Sequence, residues 1–136
     1  MANNASFASL KVQNRLFTTL VKVDHIIYKS RAYASVIEAD ITAEYVDHKN
    51  CRMGKWYDGV GRDRFSNLKE FREMEVPHAK VHDSVLRNIE FVKAQTTLKG
   101  DNPKIIVENF KTMEESSQEL YQKLTAMLNA YGKQNS

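Results

Sequence analysis

The chain holds four histidines, one cysteine and one tryptophan, and three of the histidines sit where helices can carry them to the cysteine. The cysteine and the tryptophan share one stretch, Asn50-Cys51-Arg52-Met53-Gly54-Lys55-Trp56-Tyr57. His25 lies upstream in a long helical pattern; His78 and His82 lie downstream, four residues apart. Three imidazoles and one thiolate form a donor set that zinc accepts with no open position, at about 2.0–2.1 Å to nitrogen and about 2.3 Å to sulfur. The chemistry expected is therefore a closed zinc site of His25, Cys51, His78 and His82. His48, three residues before Cys51, competes for the place of His25, but its setting of Asp47, Lys49 and Asn50 reads as an exposed loop. Asp24 and Asp47 are candidate acceptors for an imidazole N–H.

The spacing of His78 and His82 places two imidazoles one turn apart on one side of a helix. Val85, Ile89 and Val92 continue the same face, so both histidines belong to an apolar stripe. An unsatisfied buried polar group costs about 1–3 kcal/mol, and one shared metal ion would satisfy both rings. Asn50 is the expected N-cap of a short helical turn that starts at Cys51. A thiol at a helix N-terminus is biased toward thiolate.

The elements that must position these groups are helices. No Gly or Pro occurs over 11–46, and Phe17, Val21, His25, Tyr28, Ala32 and Val36 fall on one helical face. A helix of that span would run about 50 Å, which leaves room for a bend or break. Residues 47–61 read as a connection holding the Cys51 turn, with Trp56 and Tyr57 packing it onto the bundle. A weaker helix is expected over 62–75 through Phe65, Leu68 and Phe71. Pro77 suits a first helical turn, opening a helix to about Lys99 with Gly100 as its cap. Ile106, Phe110, Met113, Leu120, Leu124, Met127 and Tyr131 mark a last helix ending near Gly132. The fold class expected is all-α: an antiparallel four-helix bundle with a short extra helical turn carrying the cysteine. Residues 1–10 read as a flexible lead-in, 11–132 as the zinc-binding bundle and 133–136 as a tail.

Composition narrows the function classes. The net charge is +3, from 20 Lys+Arg against 17 Asp+Glu scattered along the chain, so no basic nucleic-acid face is expected. The apolar runs are too short to span a membrane, and residues 1–10 lack the basic start and apolar block of a signal peptide. One cysteine cannot form an intrachain disulfide, and a reducing cytoplasmic setting fits best.

Taken together, His25-Ile26-Ile27-Tyr28, Cys51-Arg52-Met53-Gly54-Lys55-Trp56 and His78-Ala79-Lys80-Val81-His82 resemble the chemoreceptor zinc-binding (CZB) domain. That family is similar in the order and spacing of its parts: a histidine before a bulky residue, then Cys-x-[apolar]-Gly-x-[apolar], then His-x-x-x-His. Tyr28 stands where tryptophan is common and Met53 where leucine is common; neither is a metal ligand. The resemblance implies the ligands His25, Cys51, His78 and His82, with no ligand role for His48. It implies a regulatory domain of bacterial signalling proteins, in soluble chemoreceptors or on diguanylate cyclases, that can dimerise and is linked to sensing zinc or oxidants such as hypochlorite. A sensory module cut from a longer receptor, or a stand-alone copy, is expected.

A zinc site closed by four protein ligands has no bound water to activate, so no enzyme activity is expected. Its use would be to couple ligand state to shape, with oxidation of Cys51 as the weak point. Two other readings use the same residues differently. One is a Cys/His enzyme with Cys51 as nucleophile. The other is a metal-free helical dimerisation module, in which surface aromatics such as Phe7 and Tyr33 serve a homodimer.

Overall fold

The computed structural model describes the backbone of residues 4–134 and the side chains of residues 8–134. All regular structure among them is helical: α1 (Asn4–Glu38), α2 (Arg52–Asp58), α3 (Val60–Phe65), α4 (Lys69–Glu73), α5 (Glu75–Lys93) and α6 (Asn102–Gln134). Three helices are long. α1 and α5 run the same way, since His25 meets His78 and Tyr28 meets His82. α6 runs against α1, with Lys29 on Glu114 and Lys22 reaching Thr125. The widest pairing is α5 on α6.

The apolar stripes bury as their spacing requires. Val21, His25, Tyr28 and Ala32 of α1, His78, His82, Val85, Ile89 and Val92 of α5, and Met113, Leu120, Leu124 and Met127 of α6 are all buried. They form two apolar clusters. One is built on Val21, Met53, Phe65, Phe71, Leu120 and Leu124, the other on Tyr28, Ala32, Val81, Val85 and Met113. The three histidines lie in the layer between them: His25 falls between Val21 and Tyr28, and His78 and His82 bracket Val81.

Several element boundaries differ from expectation. α1 stops at Glu38, not near Val46. Ala39 takes φ of 53°, the Asp40 N–H donates to the Ser35 carbonyl at 3.0 Å, and the Ala39 N–H donates to the Val36 carbonyl at 3.2 Å. This left-handed cap is usually glycine's, so alanine conceals it. The Asp40 carboxylate then accepts from the Thr42 N–H and hydroxyl, closing a turn. From there the chain runs back along α1 without regular structure. The Tyr45 hydroxyl meets that of Ser35 at 2.6 Å, and the Val46 carbonyl accepts from the Tyr28 hydroxyl at 2.9 Å.

α5 ends at Lys93, six residues short of Lys99, because Gln95 with φ of 58° makes the cap expected of Gly100. The helix expected over 62–75 is broken into parts of α3 and α4, with Leu68 extended between them. α6 continues through Gly132 to Gln134, and α1 begins at Asn4, inside the stretch expected as lead-in. No described helix is long and apolar enough to cross a membrane.

Candidate metal centre

Three elements deliver the site. α1 carries His25, the N-terminal half of α5 carries His78 and His82, and the returning chain ends on Cys51, the N-cap of α2. The Cys51 sulfur accepts from the Gly54 N–H at 3.4 Å, a place expected of Asn50. Asn50 is held instead by Asp47, whose carboxylate accepts from the Asn50 amide at 2.8 Å. Gly54 is required here. A Cβ at that position would fall on the His48 carbonyl oxygen and lie 2.9 Å from the Lys49 carbonyl carbon. Only a residue without one lets the chain before Cys51 lie so close to α2.

One donor atom from each of His25, Cys51, His78 and His82 lies within 4.8 Å of all the others. The His25 and His82 Nε2 atoms are 3.2 Å apart, and the Cys51 sulfur is 3.2 Å from His78 Nε2. The three rings stand almost mutually perpendicular, at 88°, 89° and 87°, with centroids 5.0–5.3 Å apart. Bond lengths of about 2.0–2.3 Å in a tetrahedron imply donor separations of about 3.3–3.6 Å. Two edges, at 3.2 Å, lie just under that range, and no pair needs to close by more than about 1.5 Å.

A family model, that of the chemoreceptor zinc-binding domain, matches residues 25–89, from the first of these histidines to two turns past the last. Residues 25–89 belong to the CZB family. No curated protein and no solved structure matches the chain.

The tautomers of the CZB site follow from its backbone contacts. His25 Nδ1 lies 2.9 Å from the Val21 carbonyl and His82 Nδ1 lies 2.9 Å from the Val46 carbonyl. A carbonyl only accepts, so both Nδ1 atoms carry hydrogen. In the neutral rings, both Nε2 atoms then present lone pairs to each other at 3.2 Å. A proton could separate them only by charging a ring, and burial opposes that. It lowers His25 against the help of the Val21 carbonyl, and lowers His82 to about 4 against the help of the Val46 carbonyl. His78 is pushed down to about 2 by burial and by its neighbours His25 and His82. A cation between the lone pairs resolves the conflict, and the nitrogen and sulfur donors suit zinc.

The other sequence candidates are placed elsewhere. His48 Nε2 pairs with the Glu75 carboxylate at 2.8 Å, and its donor atoms are not in the cluster. Asp24 pairs with Arg52 at 3.1 Å, and Asp47 caps the turn before Cys51. Neither carboxylate touches an imidazole; the carbonyls of Val21 and Val46 take that role. Tyr28 also belongs to the site, since its hydroxyl holds the Val46 carbonyl and its ring packs on His82 at 4.4 Å. His78 Nδ1 is buried with no hydrogen-bond partner. The expected thiolate bias of Cys51 is reversed without a cation: burial raises the thiol more than the Gly54 N–H lowers it.

These shifts set an acid limit for the metal-free protein. An unfolded imidazole protonates near pH 6.5, whereas folded His82 protonates near 4 and His78 near 2. The unfolded state binds more protons between those values, so the contribution is complete above about pH 6.5 and falls as pH drops toward 4. Chelator-treated protein should show a lower denaturation midpoint at about pH 5 than at about pH 7. A midpoint unchanged over that interval would show the three rings to be solvated.

Proposed function

We propose that this chain is a zinc-binding regulatory module in which His25, Cys51, His78 and His82 together hold one zinc ion. The observation that carries the proposal is the pair of buried Nε2 lone pairs facing each other at 3.2 Å, with the other two donors beside them. Bound there, zinc supplies the positive charge that four converging donors require. The match to the chemoreceptor zinc-binding family supports a place in a bacterial, cytoplasmic signalling protein, a soluble chemoreceptor or a diguanylate cyclase. We read residues 11–132 as the domain, with α2, α3 and α4 together in the place of the second helix of an antiparallel four-helix bundle.

Sensing follows from the least protected donor. His25, His78 and His82 are buried, and Cys51 is the one donor of the four that is only half-buried. A two-electron oxidant such as hypochlorite would convert its thiolate to a sulfenic acid, a poorer ligand. Cys51 caps α2, so its release removes the metal tie from that helix to α1 and α5, leaving it held by the packing of Met53, Trp56 and Tyr57.

The 3.2 Å Cys51–His78 contact also resembles the nucleophile–base pair of a cysteine enzyme. Such a pair needs a third group to orient the imidazole, and His78 Nδ1 has none. Burial moreover raises the thiol and lowers the ring, which favours the neutral pair. The chemistry favours a ligand set over catalysis.

A homodimer is part of this proposal. Leu16, Leu20, Val23, Ile27 and Ile37 are exposed on α1, with Ser30 and Ala34 completing alternating steps of four and three. That is the seam of a two-helix coiled coil, and a second copy supplies the matching face. Tyr33 contributes little to it, being stacked on Phe110 at 4.2 Å and bonded to Glu114. The Phe7 side chain lies outside the described residues.

Elemental analysis of protein purified without chelator should find one zinc per chain. Cys51→Ser and His78→Ala should reduce it, while His48→Ala should keep it; metal-free wild type would remove the proposal. Sedimentation equilibrium should give a dimer that Ile27→Asp dissociates. A wild-type monomer at all concentrations would remove the second copy and leave the metal site standing.

A further inference from the structure

The chain that returns after α1 lies along α5 in the opposite direction. Its Val46 carbonyl meets His82, its His48 ring stands edge-on to His78 with centroids 5.5 Å apart, and His48 Nε2 reaches Glu75 at 2.8 Å. Glu75 is the first residue of α5. Three residues after His48, the chain comes back to His78 with the Cys51 sulfur. His48 therefore joins the first turn of α5 to the turn that carries the cysteine.

Of the four converging donors, Cys51 is the one that needs such a support. His25 lies inside a helix of 35 residues, and His78 and His82 lie inside one of 19. Cys51 lies between irregular chain and a helix of seven residues. The contacts of His48 converge on that junction. Its carbonyl oxygen is 3.7 Å from the Cys51 sulfur, and a Cβ on Gly54 would strike the same oxygen. Its ring is fixed at the other end. A carboxylate only accepts, so Nε2 carries hydrogen and donates to Glu75. The two side chains are 19% and 31% exposed, which shields the pair from much of the screening that weakens surface ion pairs. Lys49 reaches the same Glu75 oxygen at 3.6 Å and Asp58 at 3.8 Å, but its side chain is 54% exposed and its contacts are long. It adds little to the hold.

We propose that the His48–Glu75 pair is a clasp that positions Cys51 for the metal. The proposal rests on the zinc reading above and gives His48 a role there without making it a ligand. The clasp does not include the sulfur, so it stays closed when the sulfur lets go. Three residues span at most about 10 Å, so a released Cys51 stays within that reach of His48 and beside His78. Its return to the metal is then an intramolecular step at high effective concentration. A clasped sulfur rebinds before the three imidazoles release the ion, and an unclasped one drifts away with its turn. The clasp therefore sets how slowly zinc leaves.

The test is the rate at which the zinc-loaded full chain gives up its metal to excess chelator. His48→Ala and Glu75→Ala should each keep one zinc per chain and release it about tenfold or more faster, the scale on which partners outside the ligand set act. The double variant should be no faster than the faster single one, because the two residues act as one unit. With cobalt in place of zinc, the sulfur-to-cobalt charge-transfer absorption should weaken in both single variants. Lys49→Met should change neither rate nor absorption. Circular dichroism confirms that the variants are folded. One measurement needs no variant: in zinc-loaded wild type, the His48 Nε2 proton should be visible by NMR and protected from solvent exchange. Wild-type release from folded His48→Ala, additive effects in the double variant, an unchanged cobalt spectrum or an unprotected Nε2 proton would each overturn the clasp and leave the zinc site standing. Wild type that holds no zinc would remove the zinc reading, and the clasp with it.

Discussion

A layer of imidazole buried between two apolar clusters is the constraint on which the rest of this bundle depends. His25, His78 and His82 are each at most 2% exposed. Backbone carbonyls occupy two of the outer nitrogens, and the inner nitrogens have only one another and the Cys51 sulfur to face. Apolar burial on either side holds the layer in place. It also excludes the water that would otherwise satisfy those nitrogens, at a cost of about 1–3 kcal/mol for each one left unpaired.

The neighbouring elements follow from that layer. α1 and α5 run in the same direction, which sets His25 against both His78 and His82. The chain after α1 has to return along it, because the fourth donor and the Val46 carbonyl come from that return. Tyr28 ties the return to α1 one turn after His25. Gly54 lets the turn before Cys51 press against α2, and Gly61 does the same for Trp56, where a Cβ would lie 2.7 Å from the indole. The site is therefore set by backbone approach as much as by its four donors. Structural zinc contributes about 10–16 kcal/mol in zinc-finger peptides, comparable with the roughly 5–15 kcal/mol of a whole domain. On that scale, loss of one donor would be felt by all three long helices.

The candidate metal donors are legible in the sequence because they interrupt readable patterns. His78 and His82 stand inside the stripe that Val85, Ile89 and Val92 continue, and His25 stands inside that of Val21 and Tyr28. Helices carry such periodicity clearly, so the three long ones can be placed without coordinates. The ends of α1 and α5 cannot, because Ala39 and Gln95 take left-handed caps where glycine is the usual signal. Asp40 and Thr42, whose side chains close the turn after α1, are the faint marker available there. The acceptors behind His25 and His82 are carbonyls, which every residue has, so attention goes instead to the carboxylates of Asp24 and Asp47. The N-cap is missed for a similar reason: Asn50 is the better capping type, but Cys51 takes the position with its sulfur. The thiol's direction of shift reverses because burial outweighs the backbone N–H groups of Gly54, Met53 and Cys51 at the start of a seven-residue helix.

Zinc-edge X-ray absorption on the purified full chain tests the coordination most directly. The four converging donors predict a first shell of three nitrogens at about 2.0–2.1 Å and one sulfur at about 2.3 Å, with no oxygen. A shell without sulfur, or one completed by water, would contradict the closed site of His25, Cys51, His78 and His82.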